Sequence, residues 1–477
     1  MGSPELARQG VLHRTRKKRK ESTRRKEKAG VYLRHRERLT GKGRLRQFVY
    51  YLTTVVGLPE LANEIIKDGR RCPKFSGSTC VLLTILMVVM RYRSFNAFEK
   101  RLSEPAMKKW FGNQPLPQCI DTVTNALKKI DLTTLEELHQ RILKIAADNK
   151  ALRETLHDTG LRFFAFDGFE PIRSNNRSCA ACLTATYEAK DGPTTQHFHR
   201  YVFTYTIGLQ PQLLLGLEPL ASVSIRQATM PDALKAEGEL TAVKRVIDRT
   251  RRTFPKMFDI GIGDGLYPNG PMFNFMKDGK PSYDLLAVLK KETDEPMADA
   301  VRLYETMANT HYYYDKKREE HVRLWDTEGF QGLETSNHPL RVIKAQKVEG
   351  PVNLKSLINW DADEVSTWWM STTAPQEKLS GPHAFDAQRR RWDQEAVNND
   401  FTQNWFIKHS YIHHEVGTTA MMYTFMIAYN LFQLFLHRRL GEKTRKTYTN
   451  IALAKEMELD YPQIASREEG FFPTPES

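Results

Sequence analysis

Apolar positions recur at helical spacing between residues 47 and 157, in FVYYLTTVVGLPELANEII, TCVLLTILMVVM and LTTLEELHQRILKIAADNKALRETLHD. Residues three and four apart share a helix face, so this stretch predicts a helical unit, broken at Gly69, Pro73, Gly112, Pro115 and Pro117. The period changes at residue 160. LRFFAFD is short, apolar and aromatic, which favours a strand. TATYEAK and HFHRYVFTYTIGL flank the turn signal DGPTT and predict an antiparallel hairpin. MPDALKAEGELTAVKRVIDRTRRTF predicts a helix, MFDIGIGD a short strand, PMFNFMKDG a brief helix and YDLLAVLK a further strand. Strand, hairpin, helix, strand, helix, strand is an α/β layout around a mixed sheet.

From 293 to 383 the texture shifts to turn residues and to alternation in EHVRLWD and LRVIKAQKV, with Trp325, Trp360, Trp368 and Trp369. This predicts a β-rich insertion, after which residues 386–410 and 416–440 read as two closing helices. The run 416–436 approaches the roughly 20 apolar residues that span a bilayer. Thr419, Tyr423, Asn430, Gln433 and His437 nevertheless give it one more polar stripe, so the expectation is a helix packed on one side against a soluble core, with no membrane. VLLTILMVVM, residues 81–90, reads as a buried helix. Residues 441–477 are polar and predict a disordered tail. No internal repeat is present.

A chain of 477 residues divides into two to four structural units. Its charge is uneven. Residues 1–46 hold 17 Lys/Arg against 4 Asp/Glu, a net of +13, whereas the whole chain is +14. The segment containing Arg16, Lys17, Lys18, Arg19 and Lys20 has almost nothing to bury and predicts a mobile basic tail suited to a polyanion. No apolar stretch follows this opening, so a secretory signal is not expected. Five cysteines argue against a disulfide scaffold and for a reducing compartment.

Three acids stand out by their settings. Asp167 closes LRFFAFD, Asp264 follows FDIGIG, and Glu395 lies in the helical stretch RRRWDQEAVNNDF. Carboxylates at the ends of buried strands are rigid, and three together make a hard-oxygen cage for Mg²⁺ or Mn²⁺. Such a cage suits two-metal phosphodiester chemistry. Asp259 is a rival to Asp264, but it starts the strand rather than ending it, and α/β sites gather at strand C-termini. Arg391 precedes Glu395 by four residues and Thr402 follows by seven, which puts all three on one face of the predicted helix.

In order and spacing these acids resemble the DDE transposases of bacterial insertion sequences, in particular the group with a Tyr-x-x-Arg-x-x-x-Glu-x(6)-Lys signature. FAFDGFEP, then GDGLYPN with Tyr267, then Glu395 followed by AVNNDFTQNW and a long apolar helix, carry the resemblance over residues 115–440. It implies a ribonuclease-H-like core at 158–292 and 384–440, a helical DNA-binding or assembly domain at 47–157 and an insertion at 293–383. It also implies metal ligation by Asp167, Asp264 and Glu395, double-stranded DNA as partner, a homodimer on paired ends and a bacterial, nucleoid-associated setting. The signature Arg and Glu map to Arg391 and Glu395, but its Tyr is Gln388 here and its Lys is Thr402. Lys408 is the candidate replacement for the missing phosphate contact. A catalytically inactive or domesticated DNA-binding protein is the alternative.

Cys179 and Cys182 form a C-x-x-C, and His197 and His199 follow across the hairpin, so these four are candidate ligands of a structural zinc; a plain hairpin with buried thiols is the rival. Glu237 and Glu239 resemble a family acidic position but are expected to be solvated. The four tryptophans are expected to pack, with base stacking as the functional rival.

Overall fold

The computed structural model describes residues 43–465, apart from 112–114, 155–158, 190–191, 291–294, 332–334, 354–357 and 363. The basic segment with Arg16, Lys17, Lys18, Arg19 and Lys20 lies outside the described residues.

Helices come first: α1 Arg44–Tyr50, which runs on into a π-helical turn Tyr51–Val56, α2 Leu58–Ile65, α3 Gly77–Val89, α4 Phe95–Leu102, α5 Pro105–Trp110, α6 Ile120–Leu127 and α7 Leu132–Asp148. Ser76 starts α3 by accepting from Thr79 N through Oγ at 3.1 Å. α3 is apolar all round, and a helix of that kind must be enclosed. Its partner comes from the far end of the chain, the helix Glu415–Arg439 described below.

The strands are β1 Arg153–Glu154, β2 Phe163–Ser174, β3 Leu183–Ala189, β4 Gly192–Ile207, β5 Leu209–Gln210 and β6 Leu214–Pro219. After the helices α8 Val223–Gln227 and α9 Glu239–Thr253 come β7 Ile260–Gly263, α10 Gly270–Asp278 and β8 Asp284–Val288. β6, β4, β2, β7 and β8 lie side by side; β2–β7 and β7–β8 are parallel, the others antiparallel. Beyond β8 come α11 Glu295–Thr306, β9 His311–Asp315, β10 Glu320–Phe330, β11 Leu340–Glu349 and β12 Ser366–Thr372. β12 pairs antiparallel with β8, Met370 opposite Val288, so the 293–383 segment extends the same sheet and opens with a helix. The result is a mixed α/β protein built on one ten-stranded mixed sheet.

Alternation along β2 divides the core. Phe164 and Phe166 enter the cluster shared with α9, whereas Phe163 and Ala165 join Ile260, Ile262 and Leu286 under α12 Gly381–Arg389. α13 Trp392–Asn404 and α14 Glu415–Arg439 follow. The stretch 386–410 is thus two helices, with the break at Arg390 and Arg391. Arg91, half-buried after α3, sits over the Trp405 ring at 3.2 Å from its centroid and joins the helical unit to the end of α13.

α14 corrects the one-sided expectation. It is long and apolar enough to cross a membrane, yet every residue from Gly417 to Leu436 is buried within the protein. Its polar stripe is consumed inside. Asn430 accepts from Leu214 N at 2.9 Å and donates to Leu214 O and His139 Nε2, both at 2.8 Å, and Thr419 Oγ1 lies 3.2 Å from Tyr201 Oη. The expected C-terminal tail is also partly structured. α15 Glu442–Thr447 and α16 Asn450–Ala465 follow, and Leu453 and Met457, one turn apart, bury against α1 beside an Arg44–Glu456 ion pair at 3.3 Å.

Candidate functional site

Asp167 does not end its strand. β2 runs on to Ser174, and Asp167 sits opposite Phe203 of β4, two residues past the last β2–β7 pair, Ala165 with Ile262. Because β7 stops at Gly263, the side of β2 that carries Asp167 opens into the space beyond the β7 C-terminus, and Asp264 is the first residue there. The two acids therefore lie at one strand end, close enough for the Asp264 charge to raise the Asp167 carboxyl, and strand C-termini are where α/β sheets bind ligands. Asp259 is at the other end of β7, where its carboxylate accepts from Arg162 N at 3.0 Å.

α13 covers Asp167. Gln394, fully buried, donates from Nε2 to Asp167 Oδ2, and Gly168 N donates to Oδ1 at 2.9 Å. Glu395, the next residue, takes an ion pair from Arg391 at 3.0 Å. Asp264 accepts from Leu266 N at 2.9 Å and pairs with Lys290 at 3.3 Å. Each predicted acid thus has its own donor or cation, and the field of Arg391 also reaches Asp167.

A fourth carboxylate belongs to this place. Glu239 begins α9, and its side chain is almost wholly buried. The expectation that Glu237 and Glu239 are solvated is wrong for both. Glu237 is held by Arg245 and by Ala221 N. Glu239 accepts from Tyr267 Oη at 2.5 Å, and its other oxygen faces the Arg200 guanidinium at 2.6 Å, an ion pair without an aligned hydrogen bond. Gly168 makes this possible, because a Cβ there would collide with Glu239 Oε2. Tyr267 folds back edge-on to Phe166, with ring centroids 4.7 Å apart, over Gly263, where a Cβ would meet it at 2.8 Å. Burial, then Glu239, then Asp264, hold the Asp167 carboxyl up at about 6, against the pull of Arg391 and Gly168 N.

Gln388, at the signature's tyrosine position, is fully buried and donates to Gly263 O at 3.2 Å. Thr402 is half-buried on α13, and Lys408 is exposed on the turn beyond it. Among the tryptophans, Trp325 is buried and donates to Met307 O at 2.8 Å. Trp369 stacks on Tyr304, Trp368 meets Phe385 edge-on, and Trp360 carries the Arg323 guanidinium.

Cys179, Cys182 and His199 converge as expected, but the fourth member of their cluster is His413 from the α13–α14 connection, not His197. His197 stays close enough to weigh on the His413 pKa. Gln394 and His413 each have a signal in the sequence: Gln394 adjoins Glu395, and His413 lies in the pair His413–His414 just before the apolar helix.

No family model and no curated protein matches the chain. Among solved structures it is similar to a piggyBac transposase synaptic complex with hairpin DNA, at 10% identity and a TM-score of 0.41, covering 89% of this chain and 80% of that one. At that identity and score, the reading of function stands on the site itself.

Proposed function

We propose that the chain is a metal-dependent DNA transposase with a ribonuclease-H-like core, cleaving element ends and joining them to target DNA at Asp167, Asp264 and Glu395. The observation that carries this reading is the meeting of Asp167 and Asp264 beyond the parallel β2–β7 pair, with the Glu395 helix packed over Asp167. The strand order β6-β4-β2-β7-β8, with α9 between β6 and β7, supports the fold assignment.

The donor set is all carboxylate oxygen and half-buried, and burial with the charges of Glu239 and Asp264 holds the Asp167 carboxyl up at about 6, a setting that fits a hard divalent cation. Asp167, Asp264 and Glu395 are the residues that would hold magnesium or manganese, with Glu239 behind them. When bound, the metal supplies Lewis-acid activation of a water or a 3′-hydroxyl and neutralises charge on the leaving oxygen. The chain's own work is positional. Gln394 fixes one Asp167 oxygen, Gln388 fixes the strand end before Asp264, and Arg391 and Lys290 offer cations to the scissile phosphate. Lys408 and the basic cluster Arg16, Lys17, Lys18, Arg19 and Lys20 add contacts along the DNA backbone. Action on paired ends calls for a homodimer, and the substrate puts the protein with the bacterial nucleoid in the cytoplasm. The thiol–imidazole cluster suits a softer ion and takes no part in this chemistry.

The test is Mg²⁺-dependent nicking and strand transfer on the element's own terminal repeats. Asp167→Asn, Asp264→Asn and Glu395→Gln should each abolish both while leaving DNA binding in place. Binding without metal-dependent cutting by the unaltered protein would select the domesticated, catalytically silent alternative.

A further inference from the structure

We infer that Cys179, Cys182, His199 and His413 form a tetrahedral zinc site that clamps the catalytic helix to the sheet. The spacing of the ligand atoms carries the inference. Cys179 Sγ and Cys182 Sγ are 3.7 Å apart, His199 Nε2 lies 3.4 Å from each, and His413 Nε2 lies 3.3 Å from Cys182 Sγ. All four ligand atoms fall within 4.8 Å of one another. A tetrahedron built on usual Zn–S and Zn–N bond lengths has edges of about 3.8 Å between sulfurs and about 3.6 Å between sulfur and nitrogen. The match extends to the turn: Cys182 N donates to Cys179 O at 3.0 Å and Cys179 N points at Cys182 Sγ at 3.3 Å, which wraps the C-x-x-C backbone around its thiols. The thiols are not a disulfide. Two thiolates and two neutral imidazoles suit zinc over magnesium or calcium.

The ligands come from three places. Cys179 and Cys182 occupy the turn between β2 and β3, His199 is on β4, and His413 lies between α13 and α14. β2, which carries Asp167, leads to the Cys179–Cys182 turn, and α13, which carries Gln394 and Glu395, leads to the His413 connection, so a bound ion would tie together the segments that follow the two elements meeting at Asp167. β2 and β4 already pair, and Tyr201 of β4 touches Thr419 of α14. The ion fastens what lies between, the ten residues from Trp405 to His414 that hold no helix or strand.

The experiment uses the full-length protein purified without added metal. Elemental analysis should find one zinc per chain. Cobalt(II) put in its place should give the visible bands of a tetrahedral site with thiolate charge transfer in the near ultraviolet. His413→Ala should lose the metal and His413→Cys should keep it, whereas His197→Ala should change nothing. Chelation should lower the melting temperature of the parent and leave that of His413→Ala unmoved. Full zinc content in His413→Ala, loss of zinc in His197→Ala, or a metal-free Cys179–Cys182 disulfide in fresh protein would each overturn the proposal. None of these readouts depends on DNA cleavage.

Discussion

Gln388 and Gly263 hold the two sides of the acidic site in register, the buried amide on α12 donating from Nε2 to the carbonyl that precedes Asp264, at 3.2 Å. Gln388, one of the two residues that depart from the signature this chain resembles, is therefore a structural tie. Gln388→Ala would strand a buried carbonyl, at a cost of about 2 kcal/mol. The expected result is a lower melting temperature together with reduced nicking. Gln388→Tyr, which restores the signature, should do worse than Ala in stability, because a larger ring must enter a fully buried place. Paired thermal melts and nicking rates decide this, and a Gln388→Tyr protein as stable as the parent would refute the packing argument.

Glu239 is the test of how the acids share charge. Burial comes first among the causes that raise Asp167 to about 6, and Glu239 is the largest of the charged neighbours. A carboxyl whose folded pKa is raised costs the fold stability once it ionises, so this group's contribution falls as pH rises from about 4 through about 6 in metal-free protein. Glu239→Gln should lower the Asp167 pKa, flatten that fall, and extend Mg²⁺ binding to lower pH. Carbon-detected NMR titration of the Asp167 carboxyl reads it directly, and an unmoved midpoint would remove Glu239 from the site.

His139 predicts the opposite slope. Burial pushes its imidazole down to about 4 from a usual 6.5, against the opposing pull of the Leu214 carbonyl. A depressed folded pKa means stability that is full above about 6.5 and is lost as pH falls towards 4, by up to about 3 kcal/mol. His199 acts with the same sign, so the comparison is between parent and His139→Gln. The variant's melting temperature should fall less steeply between those two pH values. Parallel curves would mean that His139 is protonated without cost.

Arg391 should matter for DNA and Arg390 should not. Arg391 faces Glu395 and its field reaches Asp167, whereas Arg390 is paired with Asp393 at 2.7 Å. Arg391→Ala should weaken cleavage-competent end binding on the order of tenfold, about 1.4 kcal/mol, and Arg391→Lys should recover only part, because an ammonium offers a point charge and no fork. Equal binding by Arg391→Ala and Arg390→Ala would return Arg391 to a surface ion pair.

Periodicity carried the alternation of strands and helices well, because one face of β2, β7 and β8 packs on each side and leaves near-continuous apolar runs in the sequence. It failed where a signal is shared with something else. LLGLEP, which is β6, is too short and too apolar for its period to mark a strand. The break at Arg390 and Arg391 lacks Gly or Pro, so nothing local announces it. The polar stripe of α14 looked outward because its partners, Leu214, His139 and Tyr201, are 200 or more residues away in sequence. Distance in sequence also hid Glu239 and His413. Both are recognisable only once α9 and the α13–α14 connection are brought to β2 and β4.

The enclosure of α14 by the N-terminal helices has a consequence for synthesis. Domains usually fold as they leave the ribosome, N-terminal part first. Here α3 and α7 emerge early, and the helix that covers their apolar faces is made some 300 residues later. Until residues 415–439 are translated, that surface lacks its native cover. A copy that ends early, by frameshift or nonsense mutation, lacks the helix around which its own N-terminal helices pack.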